Sequence, residues 1–289
     1  MIGDIRRVTA GYGGESLLII GSHKAAVYDT GMAYCGKALV ENIKKELKGR
    51  IPDYVLLSHT HYDHVGGLPY LIEEWPDIIV YGSAHGKKIF ENPRAISLIR
   101  NLSEHASRKY LGNDSEPLNY KDEYIRIDKA VGEGDIISLG DRYFRVYETM
   151  GHTKCSLSYF LENESILLAS ESTGVMLEGN GMHASILSSY KDTIKSIEKC
   201  RALGAKHILC PHYLQIEDEM VPDYWDTSLK VAEDLKTFII GCLSENLTEE
   251  EILEMCKIRY WSEDREKQQP LEAFMINMQA AVNVFKREL

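Results

Sequence analysis

The chain is 289 residues long, carries a net charge of −11 and is 44% hydrophobic. A chain of this size buries a core without help from metals or disulfides, so a metal site in it points to chemistry rather than to folding. The acidic balance without a basic stripe argues against a nucleic-acid partner, and no apolar run approaches the roughly 20 residues that a bilayer requires.

The opening run Met1-Ile2-Gly3-Asp4-Ile5-Arg6-Arg7 has no basic region leading into an apolar core, so no signal peptide is expected. Six cysteines are scattered with no C-x-x-C pair, which excludes a zinc ribbon. Reduced thiols in a cytoplasmic protein are the expectation. Residues 16–20 and 24–29 are aliphatic, β-branched runs parted by Gly21-Ser22, the pattern of a hairpin. Leu39, Ile43 and Leu47 then recur at helical spacing over 36–47. Residues 54–57 form an apolar strand that runs into a cluster of histidines. A helix over 68–75 stops before Pro76, and 78–81 returns to strand. This alternation predicts an α/β architecture.

Between residue 85 and about 125 the pattern is helical through Ala95, Ile99, Leu102 and Ala106, then polar through Gly112-Asn113-Asp114-Ser115-Glu116-Pro117. A helical insertion suited to act as a lid is expected there. A second β-rich block follows over 135–139, 143–149, 157–161 and 166–170, with turn residues between the members of each pair. A helix over 190–203 ends at Gly204, and 207–210 is a short strand leading into Pro211-His212. The two halves thus read as two copies of a sheet-plus-helices layout. From Tyr224 onward the pattern is helical, with a capping box at Thr248-x-x-Glu251 and an apolar stripe through Phe274, Met278, Ala281, Val282 and Phe285. The expected division is a catalytic domain over 1–220 and a helical extension over 221–289 that packs on the body or forms a homodimer.

The chemistry is concentrated in His59-Thr60-His61-Tyr62-Asp63-His64. On an extended chain His59 and His61 project to one side and can grip one cation. The chain then turns, and Asp63 with His64 sits where Gly66-Gly67 permit a tight entry into the next helix, so these two can face a second. Imidazole nitrogens and carboxylate oxygens are ligands for zinc, iron and manganese.

This H-x-H-x-D-H run resembles the hallmark of the metallo-β-lactamase superfamily, and the resemblance extends over roughly residues 5 to 215. It implies a four-layered αββα sandwich holding two divalent metal ions, zinc first, with iron or manganese as alternatives. His152 in Met150-Gly151-His152-Thr153 matches the family's third ligand to the first metal, and His212 in Cys210-Pro211-His212 matches the last ligand of the second. Asp29 in Tyr28-Asp29-Thr30-Gly31 matches an aspartate that supports the ligands without coordinating. One departure stands out: where the family bridges its metals with aspartate, this chain has Glu171, in Ala169-Ser170-Glu171-Ser172.

The implied activity is hydrolysis of a small-molecule ester, thioester, lactone, amide or phosphoester by a metal-bound hydroxide, with Asp63 taking up a proton. Two dications, two carboxylates and a bridging hydroxide leave about one positive charge, which gives a modest preference for anionic groups. Tyr62, His105, His183 and Tyr213 are candidate substrate contacts. Three readings compete. Di-iron redox members usually have glutamate in place of the second histidine, here His61, and carry a flavin domain for which the C-terminal segment is too short. Nucleases of the superfamily carry basic modules that this chain lacks. A non-catalytic ligand binder is favoured by Glu171 alone.

Overall fold

Apolar runs form the middle strands of two six-stranded sheets in the computed structural model, which describes residues 4–177, 181–212, 214–216 and 218–288. The first sheet runs β1 (Ile5–Arg7), β2 (Leu17–Ile20), β3 (Ala25–Tyr28), β4 (Tyr54–Leu56), β5 (Ile79–Ser83) and β6 (Lys129–Val131) in that order. β1 to β3 pair antiparallel, and β3 to β6 pair parallel. Every residue of β3 and β4 is buried, as unbroken apolar strands covered on both faces must be.

The second sheet is built from β7 (Ile136–Ser138), β8 (Tyr143–Glu148), β9 (Leu157–Leu161), β10 (Ile166–Leu168), β13 (His207–Cys210) and β14 (Leu214–Ile216). Its order is β14-β13-β10-β9-β8-β7. A short antiparallel pair, β11 (Val175–Met176) and β12 (Met182–His183), stands apart from both sheets. Contacts divide the chain into two units, residues 1–147 with 159–164 and residues 148–158 with 165–289.

In the first unit, α1 (Gly36–Leu47) buries Leu39, Val40, Ile43 and Leu47. It meets α3 (Leu68–Glu74) so closely that a Cβ on Gly36 would lie 2.1 Å from the Tyr70 ring. In the same unit, Tyr159 of β9 reaches the first sheet: its hydroxyl donates to the Leu57 carbonyl at 2.8 Å, and Tyr28 meets its ring edge-on at 5.9 Å. Burial raises the Tyr159 pKa well above its usual value, so the hydroxyl stays a donor. Tyr159→Phe is expected to lower stability by about 1–2 kcal/mol, read as a lower urea midpoint with an unchanged slope. The insertion consists of α4 (Ala84–Phe90) and α5 (Pro93–Leu111). Asn92 accepts from Arg94 N at the start of α5, and Pro93 fills its first turn. α5 packs against α2 (Tyr62–Val65), the short helix that contains Asp63 and His64.

In the second unit, α6 (Tyr190–Ala202) starts on the Ser189 side chain and ends before Gly204, whose φ of +64° closes the helix. The chain then runs through α7 (Val221–Ser244), α8 (Glu249–Tyr260), α9 (Glu263–Gln268) and α10 (Leu271–Glu288). α8 opens on the expected capping box, with Thr248 N donating to Glu251 Oε2 at 2.8 Å and Glu251 N to Thr248 Oγ1 at 3.3 Å. α10 buries the expected stripe of Phe274, Met278, Ala281, Val282 and Phe285. None of the six cysteines, all of them buried, forms a disulfide. Among the described residues, no helix is long and apolar enough to cross a membrane.

Candidate metal centre

In the first unit, the chain leaves β4 and runs through His59 and His61 into α2, with His61 extended at φ −71° and ψ 149° as the residue before its first turn. This segment is held from two sides. Thr30 N and Oγ1 both donate to the His64 carbonyl, at 2.7 and 2.9 Å, and Gly14 N donates to the Asp63 carbonyl at 3.2 Å. A Cβ on Gly14 would lie 2.6 Å from that carbonyl and 2.8 Å from the His64 ring, so this close approach requires glycine.

A chain of hydrogen bonds then sets the histidine tautomers. Asp29 is fully buried and sits at φ +48°, a conformation that aspartate tolerates. Its Oδ1 accepts from Ser58 N at 2.7 Å, and its Oδ2 accepts from Ser58 Oγ at 2.6 Å and from His64 Nδ1 at 2.8 Å. With its only proton given to Asp29, Ser58 Oγ accepts from His59 Nδ1 at 2.9 Å. Both rings therefore carry their proton on Nδ1 and present a bare Nε2. The His59 ring centroid lies 4.6 Å from that of His61 and 4.2 Å from that of His64. His64 Nε2 lies 3.7 Å from Asp63 Oδ2, and that carboxylate is 14% exposed.

The second unit repeats the device. His152 follows Gly151, whose φ of +138° turns the chain away from β8. Its backbone N donates to Ser172 Oγ at 3.0 Å and its Nδ1 to the Ser185 carbonyl at 2.9 Å. A carbonyl has no proton to give, so Nδ1 carries one and Nε2 is again bare. That Nε2 lies 3.5 Å from Glu171 Oε2, while His212 Nε2 lies 3.4 Å from Glu171 Oε1. One buried carboxylate thus offers a separate oxygen to each imidazole. Glu171 opens the 3-10 turn Glu171–Thr173. From α7, Tyr224 meets the Thr173 hydroxyl at 3.0 Å and Ser228 donates to the Thr173 carbonyl at 2.5 Å.

These separations fit a divalent cation. A charge-assisted hydrogen bond from an imidazolium to a carboxylate closes to about 2.7–2.9 Å. Two ligand atoms bonded at about 2.1 Å around a tetrahedral ion stand about 3.4 Å apart. The spacings of 3.4, 3.5 and 3.7 Å match the second case. Bare imidazole nitrogens facing carboxylate oxygens repel one another unless a cation lies between them.

The structure therefore brings His59, His61, Asp63 and His64 together in the first unit, with Asp29 holding His64 directly and His59 through Ser58, and His152 and His212 around Glu171 in the second. The other sequence candidates lie elsewhere. Tyr62 is 5% exposed within α2, and His105 is exposed on α5. His183 lies on β12 beside a cavity taken up below, and Tyr213 falls outside the described residues. Sequence reasoning missed Ser58, whose position next to His59 was its only signal. It also missed Ser185, which acts through a carbonyl and leaves no side-chain signature, and the α7 residues Tyr224 and Ser228.

A family model described as the metallo-beta-lactamase superfamily matches residues 10–212. A hydroxyacylglutathione hydrolase of Xylella fastidiosa strain M23 is 29% identical over 142 residues, 49% of this chain and 39% of that protein. The chain thus spans well under two thirds of that relative. Among solved structures, a metallo-beta-lactamase family protein from Thermus thermophilus superposes with a TM-score of 0.66 at 16% identity, covering 99% of this chain and 93% of its own. An archaeal superfamily protein from Sulfolobus tokodaii gives 0.59 at 17% identity, covering 78% and 86%. These two likenesses show a shared fold.

Proposed function

The chain belongs to the metallo-beta-lactamase superfamily, and from that premise we propose that it is a metal-dependent hydrolase of small-molecule acyl bonds, esters and thioesters first. The observation that carries this is that the bare Nε2 atoms of His64 and His152 lie 3.7 and 3.5 Å from carboxylate oxygens, at tetrahedral ligand spacing, with His212 Nε2 3.4 Å from the second oxygen of Glu171. In this reading His59, His61 and His152 hold one cation, Asp63, His64 and His212 hold a second, and Glu171 serves both. Residues 10–212, matched by the family model, contain all seven. Similarity to a protein named hydroxyacylglutathione hydrolase favours acyl over phosphoryl substrates.

When bound, such cations lower the pKa of water to about 7 and polarise the bond under attack. The chain's own residues do the rest. Asp29 and Ser58 fix which nitrogen of His59 and His64 carries the proton, and the Ser185 carbonyl does the same for His152. Asp63, partly open to solvent, is placed to take the proton of the attacking water at its carboxylate. The reading is tested by loading the purified chain with zinc, iron or manganese and assaying a panel of esters, thioesters, lactones, amides and phosphoesters. Zinc-dependent hydrolysis of at least one acyl substrate, abolished by chelation and restored by metal, is expected. A fully loaded protein that hydrolyses nothing in the panel would refute it.

A further inference from the structure

In the second unit, a cavity of about 340 Å³ is lined by residues of β12, of α7 and of the segment from Arg259 to Arg265, with Met278 of α10. Three polar atoms on residues that line it, His183 Nδ1, the Tyr260 hydroxyl and Arg265 Nε, are buried and have no hydrogen-bond partner among the described residues. Arg265 is only 5% exposed. Its guanidinium lies 5.4 Å from the Phe274 ring centroid. Burial lowers its pKa to about 10, with Tyr260 pulling the other way, so it remains a cation at neutral pH. The acid on the cavity wall, Asp234, is half exposed and pairs with Lys230 at 2.6 Å.

A buried cation with no carboxylate within ion-pair distance among the described residues is costly to keep, and an anion in the adjoining cavity would offset that cost. The cavity adjoins the half of the metal centre that this unit carries: His183, on its wall, lies on β12 two residues before Ser185, whose carbonyl accepts from His152 Nδ1 at 2.9 Å. Its volume falls within the range of small-molecule sites, and Leu235, Trp261 and Met278 give it apolar wall.

We propose that this cavity anchors an oxyanion group of the substrate, a carboxylate or a phosphoryl group, on Arg265 and Tyr260, with the apolar wall enclosing the adjoining carbon chain. The assignment of the anion to the substrate rests on the hydrolase reading; the anion site itself does not.

The test has a binding arm and a kinetic arm. The metal-free 289-residue chain is titrated with succinate and with inorganic phosphate, read by calorimetry and by Trp261 fluorescence. Saturable binding of either is expected, weakened about 10- to 100-fold in Arg265→Met, less in Arg265→Lys, and measurably in Tyr260→Phe, a variant that keeps the ring packing. Succinate binding alone assigns a carboxylate, and phosphate binding alone a phosphoryl group. In the zinc-loaded enzyme, Arg265→Met should raise KM for 4-nitrophenyl hydrogen succinate about 10-fold more than for 4-nitrophenyl acetate. Binding of neither anion, equal binding by wild type and Arg265→Met, or parallel changes with both esters would overturn the proposal. If neither ester nor any substrate of the panel is hydrolysed by the loaded protein while anion binding still depends on Arg265, the hydrolase reading fails and the anion site stands.

Discussion

Glu171→Gln is expected to cut bound metal from two equivalents per chain to one or fewer, and to lower hydrolysis by at least about 100-fold. The carboxylate places one oxygen 3.5 Å from His152 and the other 3.4 Å from His212. Glutamine keeps the shape but replaces one of those oxygens with an amide nitrogen that has no lone pair to give, and it removes the charge that offsets two dications. Glu171→Asp restores the charge on a side chain shorter by about 1.5 Å, the length of one carbon–carbon bond. It should retain one cation firmly and the other weakly. Metal analysis after gel filtration distinguishes the three proteins. Two tightly held equivalents in Glu171→Gln, with unchanged turnover, would remove Glu171 from the ligand set.

The second large effect is expected at Asp29. This buried carboxylate accepts three hydrogen bonds, and through Ser58 it decides the tautomer of a histidine that it does not itself touch. Asparagine tolerates the left-handed backbone at this position, so Asp29→Asn isolates the electrostatics from backbone strain. Its amide group turns a donor toward at least one of Ser58 and His64, which already donate. The metal-free protein should lose about 2–4 kcal/mol in urea denaturation, and metal affinity should fall about 10- to 100-fold. Ser58→Ala, which releases only His59, should show the smaller share of both effects. If Asp29→Asn binds metal as tightly as wild type, the tautomer argument is wrong.

Much of this architecture was legible because local signals and tertiary demands agree. The helix over Gly36–Leu47 and the strands over Leu157–Leu161 and His207–Cys210 have the bounds that their apolar patterns predict, since periodicity and burial act on the same residues. The capping box at Thr248 needs nothing beyond its own four residues. β1, β6 and the β11–β12 pair were not legible: two or three residues carry no period, and their pairing is supplied by neighbours distant in sequence. The histidine cluster was readable from spacing, and the resemblance marked Asp29 as a supporting residue, but the relay that orients the rings was not readable. Ser58 carries no pattern of its own, and Ser185 contributes a carbonyl that any residue would provide. Arg265 lies in Glu263–Gln268, a stretch that reads as a solvated face, and only packing against Phe274 reveals it as buried.

Anomalous diffraction at the zinc absorption edge, on crystals of the zinc-loaded chain, addresses the assignment most directly. It should show two scatterers per chain, the first ringed by His59, His61 and His152, the second by Asp63, His64 and His212, with Glu171 reaching both. A single scatterer, or peaks remote from these seven side chains, would contradict it.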